Sequence, residues 1–255
     1  MTYRVCYRFP YINLWRGEKI IIDKIIIDQK YCGFLGIGNG GYVCGMAAGY
    51  IQGDAEVTLW NPPLVNVSFD VDRIDSRVLF KNGDVIIAEA QPASINLDVP
   101  SPPTYEEAVA ASKHSLALGS IPPSPDCFVC GCNRDNSDGL RVFAGPAFDA
   151  GLVAAPWIPD ASLADDSGRI REVFLWSVLD CPGAYAFFGD TMPAIVLGRL
   201  VAGVKQKIMP GEKCVIIGWK ISQEGRKLIS GSALFSESND LCATAKATWL
   251  PMKNT

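Results

Sequence analysis

The chain has 255 residues, 49% hydrophobic, 10% aromatic and 20% charged, with 24 Gly and 17 Pro spread along it. That is the make-up of one large folded domain or two ordinary ones, and it excludes intrinsic disorder. A formal net charge of -4, from 23 Lys and Arg against 27 Asp and Glu with no basic cluster, leaves nucleic acid and anionic membrane surfaces little to hold.

Residues 1–10 carry Arg4 and Arg8 but no apolar run ending in a small-residue cleavage site, so a cytoplasmic location is expected. Extended patterns follow at 11–15 and 19–27. The second contains Asp23 and Lys24 and is far shorter than the roughly 20 apolar residues a membrane span needs. A helix is predicted from Asn39 to about residue 51. Asn is a good N-cap, and Gly40 and Gly41 allow a ligand or another backbone to approach the free N–H groups behind it. The run Val43-Cys44-Gly45-Met46-Ala47-Ala48 has no polar face, so a sheet must enclose it. Extended runs are then expected at 55–60, 65–74 and 75–80, with 85–90 returning across the turn Lys81-Asn82-Gly83-Asp84.

Two proline-rich stretches, 100–103 and 122–125, flank an Ala-rich helical segment at 106–118. This reads as a linker over 99–125, dividing a first half (1–98) from a second (126–255). The only histidine, His114, lies on that segment and reads as a solvated residue of a connecting helix. Ser-His-Asp or Cys-His catalysis would depend on it entirely.

In the second half, strands are expected at 140–143 and 151–157, then one helix over 171–187. Four more strands follow at 196–207, 213–222, 227–235 and 241–250, with turns at Pro210-Gly211, Glu224-Gly225 and Ser238-Asn239-Asp240. One long helix followed by an antiparallel meander, twice, makes an α+β repeat. The second helix is apolar except for Asp180, and a buried charge is costly unless it is paired or used.

Three motifs need weighing. Gly36-Ile37-Gly38-Asn39-Gly40-Gly41 fits the dinucleotide pattern G-x-G-x-x-G, but Asp54 and Glu56 precede the next strand and no βαβ unit surrounds it, so a nucleotide cofactor is not expected. Cys127-x-x-Cys130-x-Cys132 has thiol spacing suited to zinc but lacks a fourth ligand, so no metal is expected. The nine Cys are taken as reduced, with Cys44, Cys181, Cys214 and Cys242 inside apolar runs as small buried hydrophobes.

Cys127-Phe128-Val129-Cys130-Gly131 with Asn133 and Gly139-Leu140, the helix segment Leu179-Asp180-Cys181-Pro182-Gly183-Ala184-Tyr185-Ala186, Pro210-Gly211-Glu212 and the run ending Ala247-Thr248-Trp249 resemble, in that order, hotdog-fold thioesterases of the phenylacetyl-CoA type. In the first half Asn39-Gly40-Gly41 resembles the opening of the same family's central helix. The resemblance implies a double hotdog, two antiparallel sheets each wrapped around a central helix, and hydrolysis of an acyl-CoA or related thioester without a cofactor. It implies Asp180 as general base or nucleophile, Gly40 and Gly41 as backbone oxyanion donors, and Asn39 as an orienting group. A homo-oligomer is left open. Each half departs from the pattern once: Ala48 stands where the first half would carry its carboxylate, and Arg171-Glu172-Val173 replaces the second helix's Gly-rich opening. One site per chain is therefore implied, and the alternative is a catalytically silent hotdog that binds acyl-CoA or another ligand or serves as a scaffold.

Overall fold

The computed structural model describes residues 20–34, 36–147, 151–189 and 191–252; the extended pattern at 11–15 lies outside them. The first half comprises β1 (Ile20–Ile26), the small hairpin β2 (Cys32–Phe34) and β3 (Ile37–Gly38), α1 (Gly40–Ala48), β4 (Ala55–Leu59), β5 (Ser68–Ile74), β6 (Arg77–Asn82) and β7 (Val85–Pro92). After α2 (Tyr105–Ser112) come β8 (Gly145–Pro146), β9 (Leu152–Trp157), α3 (Glu172–Val178), α4 (Cys181–Tyr185), β10 (Ile195–Val204), β11 (Cys214–Glu224), β12 (Lys227–Phe235) and β13 (Leu241–Pro251).

The sheet order is β1-β5-β6-β7-β4-β10-β13-β12-β11-β9-β8, antiparallel throughout. Each half repeats one order, with its first strand outermost and the strand after its helix innermost. The two sheets expected from the repeat are in fact one sheet of eleven strands. β4 and β10 pair from Arg199 opposite Thr58 to Ala202 opposite Ala55. Each half alone would leave that strand as an open edge of unpaired N–H and C=O groups, and joining the halves satisfies both edges. The Arg199 guanidinium adds a bond of 3.1 Å to Thr58 Oγ1 across the junction.

The 140–143 segment is not a strand. Leu140 and Val142 donate to the carbonyls of Phe128 and Val129 at 2.8 Å each, but Arg141 between them has φ of 54°, which interrupts an extended chain. The proline-flanked segment is more than a tether. Ala108 and Ala111 of α2 pack into an apolar layer with Leu152, Ala154, Val215, Ile217 and Ala233 on one face of the second-half sheet. Ile216 and Leu234, alternating with those residues along β11 and β12, belong to the main core that holds α1 and α3. A capping box between Thr104 and Glu107 starts α2, and His114 sits exposed just beyond its end.

Two glycines let α1 and α3 approach closely. A Cβ on Gly41 would lie 2.6 Å from Asp180 Cβ, and one on Gly45 would lie 2.9 Å from both Trp176 Cβ and Val173 Cα. Gly45→Ala should therefore destabilise the fold by about 1–3 kcal/mol through overpacking, although Ala is the better helix former. A urea midpoint equal to or above the parent's would refute this contact.

Candidate active site

The single helix expected over 171–187 is two helices, and the break makes the site. Pro182 has no N–H to bond the carbonyl of Val178, and its ring would strike that carbonyl in a continuous helix. α3 therefore ends at Val178, and Asp180 adopts φ −75° and ψ −83° before α4 begins at Cys181. Ser232 on β12 donates to the Leu179 carbonyl at 2.6 Å, satisfying a backbone group freed by the break. Gly218 on β11 leaves room for α4: a Cβ there would fall 2.3 Å from the Pro182 carbonyl oxygen.

Three of the four residues singled out from the sequence converge directly. Asn39 Nδ2 donates to Asp180 Oδ2 at 2.8 Å and the Gly41 N–H donates to the same oxygen at 3.0 Å. Asn39 also caps α1, its Oδ1 accepting from the Tyr42 N–H at 2.9 Å. Its backbone is held in turn, since the Asn39 N–H donates to the Tyr31 carbonyl at 2.8 Å. Tyr31 stacks on Tyr42 with ring centroids 4.0 Å apart, and Phe128 meets Tyr31 edge-on. The fourth residue, Gly40, lies against the Leu197 side chain and makes no hydrogen bond through its N–H to any described residue.

Asp180 is 3% exposed, and its second oxygen, Oδ1, has no hydrogen-bond partner among the described residues. Burial pushes its carboxyl up to about 7; the charge on Cys127 adds to this, while the Gly41 and Asn39 donors act against it. Asn39, Gly40 and Asp180 line one cavity of about 320 Å³, enclosed further by Leu59, Pro63 and Leu197. The large apolar share of that wall suits an acyl group.

One group of residues was undervalued in the sequence. Cys181, read there as a small buried hydrophobe, lines the same cavity with Cys127 and Cys130, and the three Sγ atoms lie within 4.8 Å of one another. Cys127 and Cys181 are 3.9 Å apart, and Tyr185 Oη is 3.3 Å from Cys130 Sγ. The neighbouring thiols and backbone N–H groups hold Cys127 well below the usual thiol range, and Cys130 and Cys181 are pushed up by that same neighbour. The spacing of Cys127 and Cys130 was legible. That Cys181 joins them, in place of Cys132, was not, because the break at Asp180 brings it there.

The position related to this site by the repeat is furnished differently. Ala48 is buried. Arg171, at the N-cap of α3, makes no side-chain capping bond and lays its guanidinium over the Phe174 ring at 4.6 Å.

The sheet order and the enclosed helices define the hotdog fold, and solved structures agree. A candidate thioesterase from Novosphingobium aromaticivorans superposes with a TM-score of 0.59 at 12% identity, over 91% of this chain and 95% of its own. A candidate thioesterase II from Thermobifida fusca gives 0.59 at 12% identity over 95% and 99%, and the tesB protein of Mycobacterium avium subs paratuberculosis gives 0.55 at 13% over 85% and 88%. No protein-family model matches the chain, and no curated protein matches it in sequence. No helix among the described residues is long and apolar enough to cross a membrane.

Proposed function

We propose that the chain is a double hotdog that hydrolyses an acyl-CoA or a related acyl thioester at the cavity between the start of α1 and the break between α3 and α4. The observation that carries this is the state of Asp180. One carboxylate oxygen is fixed by two donors from α1, the other is buried with no hydrogen-bond partner among the described residues, and Asp180 lines an apolar-walled cavity. A buried carboxylate without a cationic partner is costly, and such groups are kept where chemistry uses them. The similar structures from Novosphingobium aromaticivorans and Thermobifida fusca are described as thioesterases, which supports this reading.

Asp180 takes a proton from water as the water oxygen attacks the thioester carbonyl carbon. The oxyanion that forms is held by backbone N–H at the start of α1. The tetrahedral intermediate then collapses, the C–S bond breaks and the sulfur leaves with the proton. Because the Gly41 N–H is engaged with Asp180, the first oxyanion donor is Gly40, whose N–H has no partner among the described residues. Asn39 and Gly41 fix the carboxylate. Direct attack by Asp180 on the carbonyl, through a mixed anhydride that water then opens, is the other route, and ¹⁸O found in Asp180 after single turnover in ¹⁸O-water would establish it. Label appears in Asp180 only if the carboxylate is the nucleophile.

A panel of short, medium, long and aryl acyl-CoAs, read by free-thiol release, tests the reaction. Turnover of at least one class is expected. Tight binding of the whole panel with no thiol released would identify a catalytically silent acyl-CoA binder instead.

A further inference from the structure

We propose that Cys127, Cys130 and Cys181 form a binding site for a soft divalent ion of the zinc class, with its fourth coordination position open to the cavity that holds Asp180. The three Sγ atoms lie within 4.8 Å of one another, and the Cys127–Cys181 separation is 3.9 Å. Zinc–thiolate bonds of about 2.3 Å at the tetrahedral angle place two sulfurs roughly 3.8 Å apart, so this pair already stands at ligand spacing.

The loop carrying the first two thiols is shaped for a bound sulfur anion. The Val129 N–H reaches Cys127 Sγ at 3.4 Å. Asn39 Nδ2 lies 3.7 Å from the same sulfur. A backbone N–H and a side-chain amide aimed at the first sulfur of a C-x-x-C turn orient a thiolate, much as outer groups orient ligands in known metal sites. The Gly131 N–H closes the turn on the Cys127 carbonyl at 2.8 Å. A Cβ at Gly131 would fall 2.4 Å from that oxygen and 2.6 Å from the Pro125 oxygen, so the turn requires glycine there.

The third ligand comes from a separate part of the chain, fixed by the break that Pro182 imposes. All three cysteines line the cavity, which leaves the fourth position to water or to a thiol entering with a ligand. Asn39 links this site to the carboxylate, its amide nitrogen contacting both Cys127 Sγ and Asp180 Oδ2. Binding needs no redox step: each thiol gives up its proton to solvent as its sulfur takes the metal. The site does not depend on the hydrolase reading and is tested without measuring activity.

The test is Co²⁺ titration of the full chain, purified under reducing conditions and stripped with a chelator. The expected result is a thiolate-to-cobalt charge-transfer band with the visible bands of a tetrahedral ion, saturating at one Co²⁺ per chain and abolished by Zn²⁺. Cys181→Ser should weaken Co²⁺ binding by at least about 100-fold, since even outer-shell losses reach that size, and Cys132→Ser should leave it unchanged. Absence of the band in the wild-type chain overturns the site, with no variant required. So does a disulfide among the three cysteines in the isolated protein, or binding that survives Cys181→Ser but is lost in Cys132→Ser.

Discussion

Asp180→Asn should lower kcat for thioester hydrolysis by about 10²- to 10⁴-fold while the protein stays folded. The amide keeps the size of the carboxylate, and its oxygen can still accept from Asn39 Nδ2 and the Gly41 N–H, both of which now meet Asp180 Oδ2. What it loses is the capacity to take a proton or attack a carbonyl carbon. Because Asp180 is buried, removing its charge also relieves a desolvation cost, which offsets the weaker hydrogen bonds. A thermal midpoint close to the parent's, measured beside kcat, therefore separates chemistry from stability. Undiminished turnover in a folded Asp180→Asn protein would remove Asp180 from the reaction.

The second large effect follows from the asymmetry of the repeat. One non-hydrolysable acyl-CoA analogue should bind per chain by calorimetry, and Ala48→Asp should neither add a second site nor raise the rate. Asp180 has an opposing helix start that presents an amide side chain and glycine N–H groups. The helix start that the repeat sets opposite Ala48 is Arg171-Glu172-Val173, which offers neither an amide N-cap side chain nor glycine N–H groups. Ala48 is also buried, so a carboxylate there would lack the two donors that fix Asp180. Leaving a buried charge without partners costs about 3–5 kcal/mol, and the Ala48→Asp protein should unfold at a correspondingly lower denaturant concentration. Two equal binding events per wild-type chain, or a gain of rate in Ala48→Asp, would show that the halves contribute to the site differently.

Much of this protein is determined locally and was legible in the sequence. Alternating strand patterns, the Asn39 cap and the apolar run behind it depend on neighbouring residues, and they placed α1, β5 to β7 and β9 to β13 close to where they lie. Asp180 stood out because a lone carboxylate in an apolar helix has few uses. Pro182 carried the signal for the helix break as well, since a proline inside a helix conflicts with the carbonyl four residues before it. What tertiary structure alone decided were contacts between segments far apart in the chain. The pairing of β4 with β10 merged two expected sheets into one, because an edge strand's backbone groups are satisfied only when another edge meets them. Ala108 and Ala111 turned a proline-flanked linker into a packed layer, which required the sheet face it covers. The convergence of Cys127 and Cys130 with Cys181 depends on the turn at Gly131 and the break at Asp180 together, and spacing along the chain measures neither.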